Sequence, residues 1–479
     1  MLPSLLCSIL GVYGTAGFPH DQVGAQPYRG YVHHGHVNAD RRDIIRYDSP
    51  NKCDSLEEYP VFCGKFTILA LGVAHCVPLA FRDNARKYPT HFPTAPVPSI
   101  RMSVVTLESS LPFAPYRELG NDHLCERISL AKKKLGSSLL ILGHHYQQDE
   151  VIEHADLTGD SYQLSRLAAD SSDCRYIVFC GVHFMAETAD ILANRPEKLE
   201  SRGGQRVTVV LPDMAAGCSM ADMAAIRQVE SAWEQLGEVI DTSDLTPVTY
   251  INSAASLKAF CGKHGGIVCT SSNAKAVLEW SFRQRKRVFF FPDQHLGRNT
   301  ALKMGITNDQ MPVWNPHEDD LGGNTTESIQ ASRVILWKGH CSVHQMFQAP
   351  HVHQFREKIP GIKILVHPEC PQEVNDIADI SGSTSKIIET VRSAPAGTKW
   401  AIGTELHLVN RLKKQHPEQE IHFLSPLVCM CATMYRIDLA HLCWSLENIL
   451  NGTIVNRIVV KEDVARWSLV ALERMLTVR

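Results

Sequence analysis

Ser138-Leu-Leu-Ile-Leu-Gly-His-His-Tyr-Gln147 joins an apolar run to a polar, glycine-led loop, and a helical pattern follows it. The arrangement recurs along the chain. Tyr176-Ile-Val-Phe-Cys180 leads into Gly181-Val-His-Phe-Met-Ala-Glu-Thr188, and Arg206-Val-Thr-Val-Val-Leu-Pro212 leads to Cys218. Val248-Thr-Tyr-Ile-Asn252, Ile267-Val-Cys-Thr-Ser-Ser-Asn273 and Val288-Phe-Phe-Phe-Pro-Asp293 precede Arg333-Val-Ile-Leu-Trp337, which ends at Cys341. Ile364-Leu-Val-His-Pro-Glu-Cys370, Ile380-Ser-Gly-Ser-Thr-Ser385 and Trp400-Ala-Ile-Gly-Thr-Glu405 precede Ile421-His-Phe-Leu-Ser-Pro-Leu-Val428, which ends near Cys431. Short strands alternating with helices predict parallel sheets. Several strand–loop–helix units closed by one cysteine, three times over, predict an internal repeat. The expected fold is therefore α/β, with three pseudo-equivalent αβα domains over 102–230, 231–345 and 346–479, the last carrying C-terminal helices. An amphipathic helix over roughly Asn121 to Leu135 opens the first.

In a parallel sheet the loops after the strands gather at the carboxyl edge, where ligands bind. Cys218, Cys341 and Cys431 each follow such a strand and meet only if three sub-structures face one another. Soft sulfur ligands suit iron–sulfur clusters and zinc, and three sulfurs leave one metal position open. Taken singly, each is more simply a small buried apolar residue.

At 479 residues the chain needs more than one core. A formal net charge of −3 gives no basis for a nucleic-acid partner or an anionic membrane surface. The strongest early apolar stretch, Phe66 to Ala80, is broken by His75 and Pro78 and is too short to span a bilayer. Fifteen cysteines without a small secreted framework fit a reducing cytoplasm in which some thiols serve a metal. Residues 1–101 show no sustained periodicity and carry scattered Pro, Gly and His, so a disordered or spurious extension is expected, with Met102 as a natural start.

A hydroxyl stands at an apparent helix start in each repeat: Ser161, Ser271 and Thr384. Each is explained as a cap for orphan backbone N–H groups; together, helix N-termini aimed at one centre would suit a small polyanion. Alternate residues on an extended segment share a face, which pairs His367 with Glu369, His144 with Tyr146 and Tyr250 with Asn252. Such groups can bind carboxylates and move protons, although Tyr250 alone reads as a half-buried strand aromatic. Cys341 and His344 have the spacing of a zinc half-site. Glu187 reads as a first-turn helix carboxylate, and Lys258 and Lys275 as solvated helix faces.

The ordered motifs resemble the quinolinate synthase family, collinearly from about residue 120 to 450. They are Gly143-His-His-Tyr-Gln147, Gly159-Asp-Ser161, Gly181 to Thr188, Ala216-Gly-Cys-Ser-Met-Ala221, Tyr250-Ile-Asn-Ser253 and Cys269 to Ala274, then Pro292 to Gly297, Gly339-His-Cys-Ser-Val-His344, His367-Pro-Glu-Cys370, Gly382-Ser-Thr-Ser385 and Gly403-Thr-Glu405. The resemblance implies a 4Fe–4S cluster at the common centre of the three domains, held by Cys218, Cys341 and Cys431. Cys431 is preferred to Cys429 because Cys431-Ala-Thr-Met434 resembles the family pattern, and Cys370 resembles a family cysteine that is not a ligand. It implies condensation of iminoaspartate with dihydroxyacetone phosphate to quinolinate for NAD synthesis. Tyr146, Tyr250 and Glu369 map to acid–base residues. His144, Ser161, Asn252, Ser271, His367, Ser383 and Thr384 map to groups that bind carboxylate and phosphate. Functional coupling to L-aspartate oxidase is left open by the sequence. The rival readings are a zinc metallohydrolase using Cys341, His344 and His367, and a non-enzymatic iron–sulfur redox sensor. Met304 to Ile329 lengthens the interval between the first two cysteines, with Asp319 to Gly323 expected as a surface excursion.

Overall fold

The computed structural model describes residues 109–170, 174–427 and 430–478. The expectation for residues 1–101 and the alternative ligand Cys429 lie outside them.

Among the described residues, fourteen strands build three sheets. The first group is β1 (Leu139–His144), β2 (Leu157–Gly159), β3 (Tyr176–Cys180) and β4 (Thr208–Val210). The second is β5 (Leu245–Tyr250), β6 (Ile267–Cys269), β7 (Arg287–Phe291), β8 (Val313–Trp314) and β9 (Val334–Trp337). The third is β10 (Lys363–Val366), β11 (Ile380–Ser381), β12 (Lys399–Gly403) and β13 (Glu420–Phe423), after which β14 (Arg457–Ile458) returns to the first sheet. The sheet orders are β14-β4-β3-β1-β2, β6-β5-β7-β9-β8 and β11-β10-β12-β13. Every pair is parallel except β14 with β4. Setting aside β8 and β14, each sheet runs second strand, first, third, fourth. The chain direction across the sheet therefore reverses between the first strand and its two neighbours, the crevice where open parallel sheets bind ligands.

The strands read as apolar runs because helices cover both of their faces. All six residues of β5 are buried, and Phe289, Phe290 and Phe291 of β7 are fully so. The amphipathic helix expected near the start spans Asn121–Leu135 and buries Leu124, Ile128 and Ala131. It is tied to the late helix Leu439–Leu450 by the carboxylate of Glu447, which accepts from Arg127 and from the Tyr116 hydroxyl. The last helix, Glu462–Thr477, packs on Ala255–Lys263 so closely that a Cβ on Gly262 would overlap the Trp467 carbonyl oxygen.

Two expectations are corrected here. The Asp319 to Gly323 stretch is a surface excursion only in part: Gly322 is buried against Trp314, and the longer insertion supplies β8 as an edge strand and packs Trp314 against Phe289. Its exposed tip is limited to residues around Asp319 and Asp320, where Asp320 and Leu321 take positive φ. Lys258 is fully buried rather than solvated. Its ammonium donates to the Ser253 carbonyl and lies over the Phe184 ring, and burial lowers its pKa to about 8.

Candidate active site

The first strand of each sheet ends in a pair of alternating polar residues, and all three pairs reach one chamber: His144 and Tyr146 after β1, Tyr250 and Asn252 at the end of β5, His367 and Glu369 after β10. The second strands lead to Ser161 and Thr384, each the first residue of a helix, and to Ser271 in the turn before the helix Ala274–Gln284; all three line the same chamber. The fourth-position strands β4, β9 and β13 lead to Cys218, Cys341 and Cys431, which also line it. The chamber and its mouth together hold about 670 Å³ free of protein atoms, open solvent included. Cys218 and Cys341 each sit immediately before a short helix, with their loops entering from extended backbone. The Cys341 loop is pinned by a close approach, because a Cβ on Gly339 would overlap the Pro292 carbonyl oxygen.

Of the residues expected to act as catalytic groups, substrate ligands or metal ligands, Ser383 alone is not brought to this chamber. Its hydroxyl accepts from the Lys386 N–H as a helix cap, and it borders a shallower surface cavity with His145 and Arg392. Cys370 is fully buried and does not line the chamber. Glu187 is not the first-turn carboxylate expected from sequence: it lies one turn into the helix His183–Ala193, and its carboxylate accepts from the Ala255 N–H at 3.0 Å, bracing the helix that follows Tyr250 and Asn252.

A hydrogen-bonded chain crosses the chamber. Tyr250 donates its hydroxyl to Glu369 Oε1 at 2.5 Å, and the other carboxylate oxygen lies 2.9 Å from His344 Nδ1. His344 Nε2 is 3.3 Å from the Thr404 hydroxyl, which is 2.9 Å from the Tyr146 hydroxyl. Tyr146 also meets the Thr384 hydroxyl at 2.9 Å. His367 stacks on His344 with ring centroids 4.5 Å apart and accepts the Glu369 N–H on its Nδ1. His344 and Thr404 thus join the two tyrosines, a role the sequence did not reveal. The signal available was their presence in the Gly339–His344 and Gly403–Glu405 motifs.

The electrostatics sort these groups into proton donors and acceptors. Burial, reinforced by the Glu369 charge, raises both Tyr146 and Tyr250 well above the usual phenol value, so both stay protonated. Burial works against the charge of Glu369. The imidazoles of His367 and His344, with hydrogen bonds from His344 and Tyr250, outweigh it and hold the carboxyl at about 2. Burial lowers His144 and His367 to about 3, leaving neutral imidazoles. Burial also raises the thiols, Cys218 to about 12 and Cys341 and Cys431 above their ordinary value.

One ligand atom each from Cys341, His344 and Glu369 lies within 4.8 Å of the other two, the grouping of metal-type donors found among the described residues. A zinc site built on Cys341, His344 and His367 is not favoured, because Glu369 and Thr404 already engage both ring nitrogens of His344.

Three parallel sheets whose strand-end loops deliver three cysteines, two phenols and a carboxylate to one chamber define an α/β enzyme with a soft-metal donor set. Residues 126–477 match the family model described as quinolinate synthetase A protein. The chain is 74% identical over 368 residues to quinolinate synthase of Rhodopirellula baltica, covering 77% of this chain and 94% of that protein. It is 54% identical over 361 residues to the Anoxybacillus flavithermus quinolinate synthase, covering 75% and 95% of the two chains. Identity to the Corynebacterium glutamicum quinolinate synthase is 52% over 363 residues, covering 76% and 89%. The chain belongs to the quinolinate synthase family. No helix among the described residues is long and apolar enough to cross a membrane.

Proposed function

We propose that this protein condenses iminoaspartate with dihydroxyacetone phosphate to quinolinate, releasing phosphate and water, in the de novo synthesis of NAD. It acts in the cytoplasm, and a functional handover of the unstable imine from L-aspartate oxidase suits that substrate. The observation that carries the reading is the convergence of Cys218, Cys341 and Cys431, from loops of separate strands, on a chamber that also holds Tyr146, Tyr250 and Glu369. The three repeats over 102–230, 231–345 and 346–479 would each contribute one of those cysteines.

The donor chemistry fits a 4Fe–4S cluster held by Cys218, Cys341 and Cys431. Three soft sulfurs face one cavity, and as free thiols they are held protonated by burial, so a cationic group is what would convert them to ligands. With three protein ligands, such a cluster supplies an open iron acting as a Lewis acid. The remaining chemistry falls to the chain. His144, Ser161, Asn252, Ser271, His367 and Thr384, which line the chamber, would bind carboxylate and phosphate oxygens, and Ser383 would act from the mouth of the neighbouring cavity. Asn252 keeps a buried side-chain oxygen with no partner in the protein, ready for a substrate donor. Glu369, ionised, is the group able to accept a carbon-bound proton, and Tyr250 and Tyr146, kept protonated, can return one to a departing hydroxyl.

Anaerobic purification with iron and sulfide analysis tests this reading. About four irons per chain and quinolinate formed from the two substrates are expected, and stoichiometric zinc without iron would overturn it. Ala at Cys218, Cys341 or Cys431 is expected to abolish the visible absorption, whereas Ala at Cys370 is expected to keep it.

A further inference from the structure

The loop that carries Tyr146 is tied to β2 by the His145 N–H to Gly159 carbonyl bond and to the segment around Met434–Ile437 by Gln147 and Gln148, and on either side of Tyr146 it is clasped by a side chain of another sheet's helix. Arg411 lies on Leu406–Gln415, the helix after β12. Its Nη1 donates to the His145 carbonyl at 2.8 Å, its Nη2 to the Gln147 carbonyl at 2.5 Å, and its Nε to Asp149 Oδ1 at 2.8 Å. The two carbonyls flank Tyr146 on either side. Within the loop, the Gln147 N–H donates to the His144 carbonyl at 3.0 Å and the Tyr146 N–H to His144 Nδ1 at 3.1 Å. The Arg411 side chain is 12% exposed and does not line the chamber. A planar guanidinium presents its donors in a fixed fork, so three acceptors on one loop are held in one geometry.

We propose that Arg411 is a positioning residue for Tyr146 and His144, locking the loop after β1 against the third sheet so that the Tyr146 hydroxyl stays between Thr384 and Thr404. The inference rests on the reading of Tyr146 as an acid–base group. Lysine cannot substitute, because a single ammonium reaches Asp149 or one carbonyl but not all three acceptors. The outer ion pair is separable from the clamp, since Asp149 also pairs with Lys414 at 2.6 Å.

The test compares the anaerobically purified full chain with Arg411→Ala, Arg411→Lys and Asp149→Asn. Four properties are read: iron content, melting temperature, kcat, and hydrogen exchange of the His144 to Gln148 amides. Both Arg411 variants should keep iron while kcat falls about 10- to 100-fold, the scale of a reacting group displaced by an ångström or less. Exchange in the loop should quicken in both. Asp149→Asn, which keeps both carbonyl contacts, should stay within about threefold of the parent, as for the loss of a partly exposed ion pair. Low-millimolar guanidinium should restore part of kcat to Arg411→Ala and none to Arg411→Lys. Parent-like kcat and exchange in an iron-replete Arg411→Lys protein would overturn the proposal, and so would a loss in Asp149→Asn equal to that in Arg411→Ala. If Arg411→Ala fails to fold, the lysine variant decides alone. Absence of quinolinate from the parent protein would defeat the functional reading, whereas unchanged loop exchange would defeat this inference by itself.

Discussion

Glu369 and Tyr250, both buried, share a 2.5 Å hydrogen bond, and the carboxylate is charged while the phenol is not. Glu369→Gln and Tyr250→Phe are expected to retain iron and to bind quinolinate while turning over about 10²–10⁴-fold more slowly, the usual worth of a general acid or base. Near-normal turnover by both, measured on cluster-replete protein, would remove them from the chemistry. The pairing of these residues was legible from their alternation on extended segments, since two residues apart on a strand end means the same face. What was not legible is the partner each would meet. Tyr250 and Glu369 come from different sheets, and the Thr404 bridge depends on β12 ending beside β10, which sequence spacing does not encode. Lys258 was misread for a related reason: its helix is covered by Glu462–Thr477, far along the chain, so the face that pattern assigns to solvent is interior.

At the scale of elements, the long apolar strands were plain in the sequence because burial on both faces leaves them unbroken. The strands that escaped, β2, β8 and β14, have two or three residues and lie toward sheet edges, too short for any period to register. Two contacts between helices carry predictions. Gly262→Ala forces apart the helices Ala255–Lys263 and Glu462–Thr477, and a loss of about 1–3 kcal/mol is expected from denaturant unfolding. The Glu447 carboxylate is disfavoured by its burial, but the Arg127 and Tyr116 hydrogen bonds more than compensate and bring its pKa below the ordinary value. Its contribution to stability is therefore complete above the unfolded carboxyl pKa, near 4.3, and fades as pH falls through the lower folded value. Glu447→Gln should narrow the gap between melting temperatures at neutral and acidic pH. An unchanged gap would show that the carboxylate adds nothing.

Across the whole molecule, three sheets of one strand order face a single chamber, and the chain's end ties two of them together. β14 completes the first sheet and Glu462–Thr477 covers the second. Ending the chain after Val460 would uncover Ala255–Lys263, including Lys258 and Gly262, directly behind the loop carrying Asn252. Such a truncation is expected to lower the melting temperature sharply and to cost iron retention, read by scanning calorimetry and iron assay. A truncated chain with parent-like melting and full iron would show that the covering helix is dispensable.

The hydroxyl of Thr404 has a single hydrogen, and that sets the sense of the whole chain across the chamber. In the tautomer that presents Nδ1–H of His344 to the Glu369 carboxylate, Nε2 is left as an acceptor, and Thr404 then gives its hydrogen to that nitrogen and takes one from Tyr146. Under the acid–base role proposed for Glu369, a proton taken there would free the imidazole to take the other tautomer and Thr404 to rotate, so that the Tyr146 hydrogen would turn elsewhere. The second tyrosine would then be re-aimed only after the carboxylate beside the first had been neutralised.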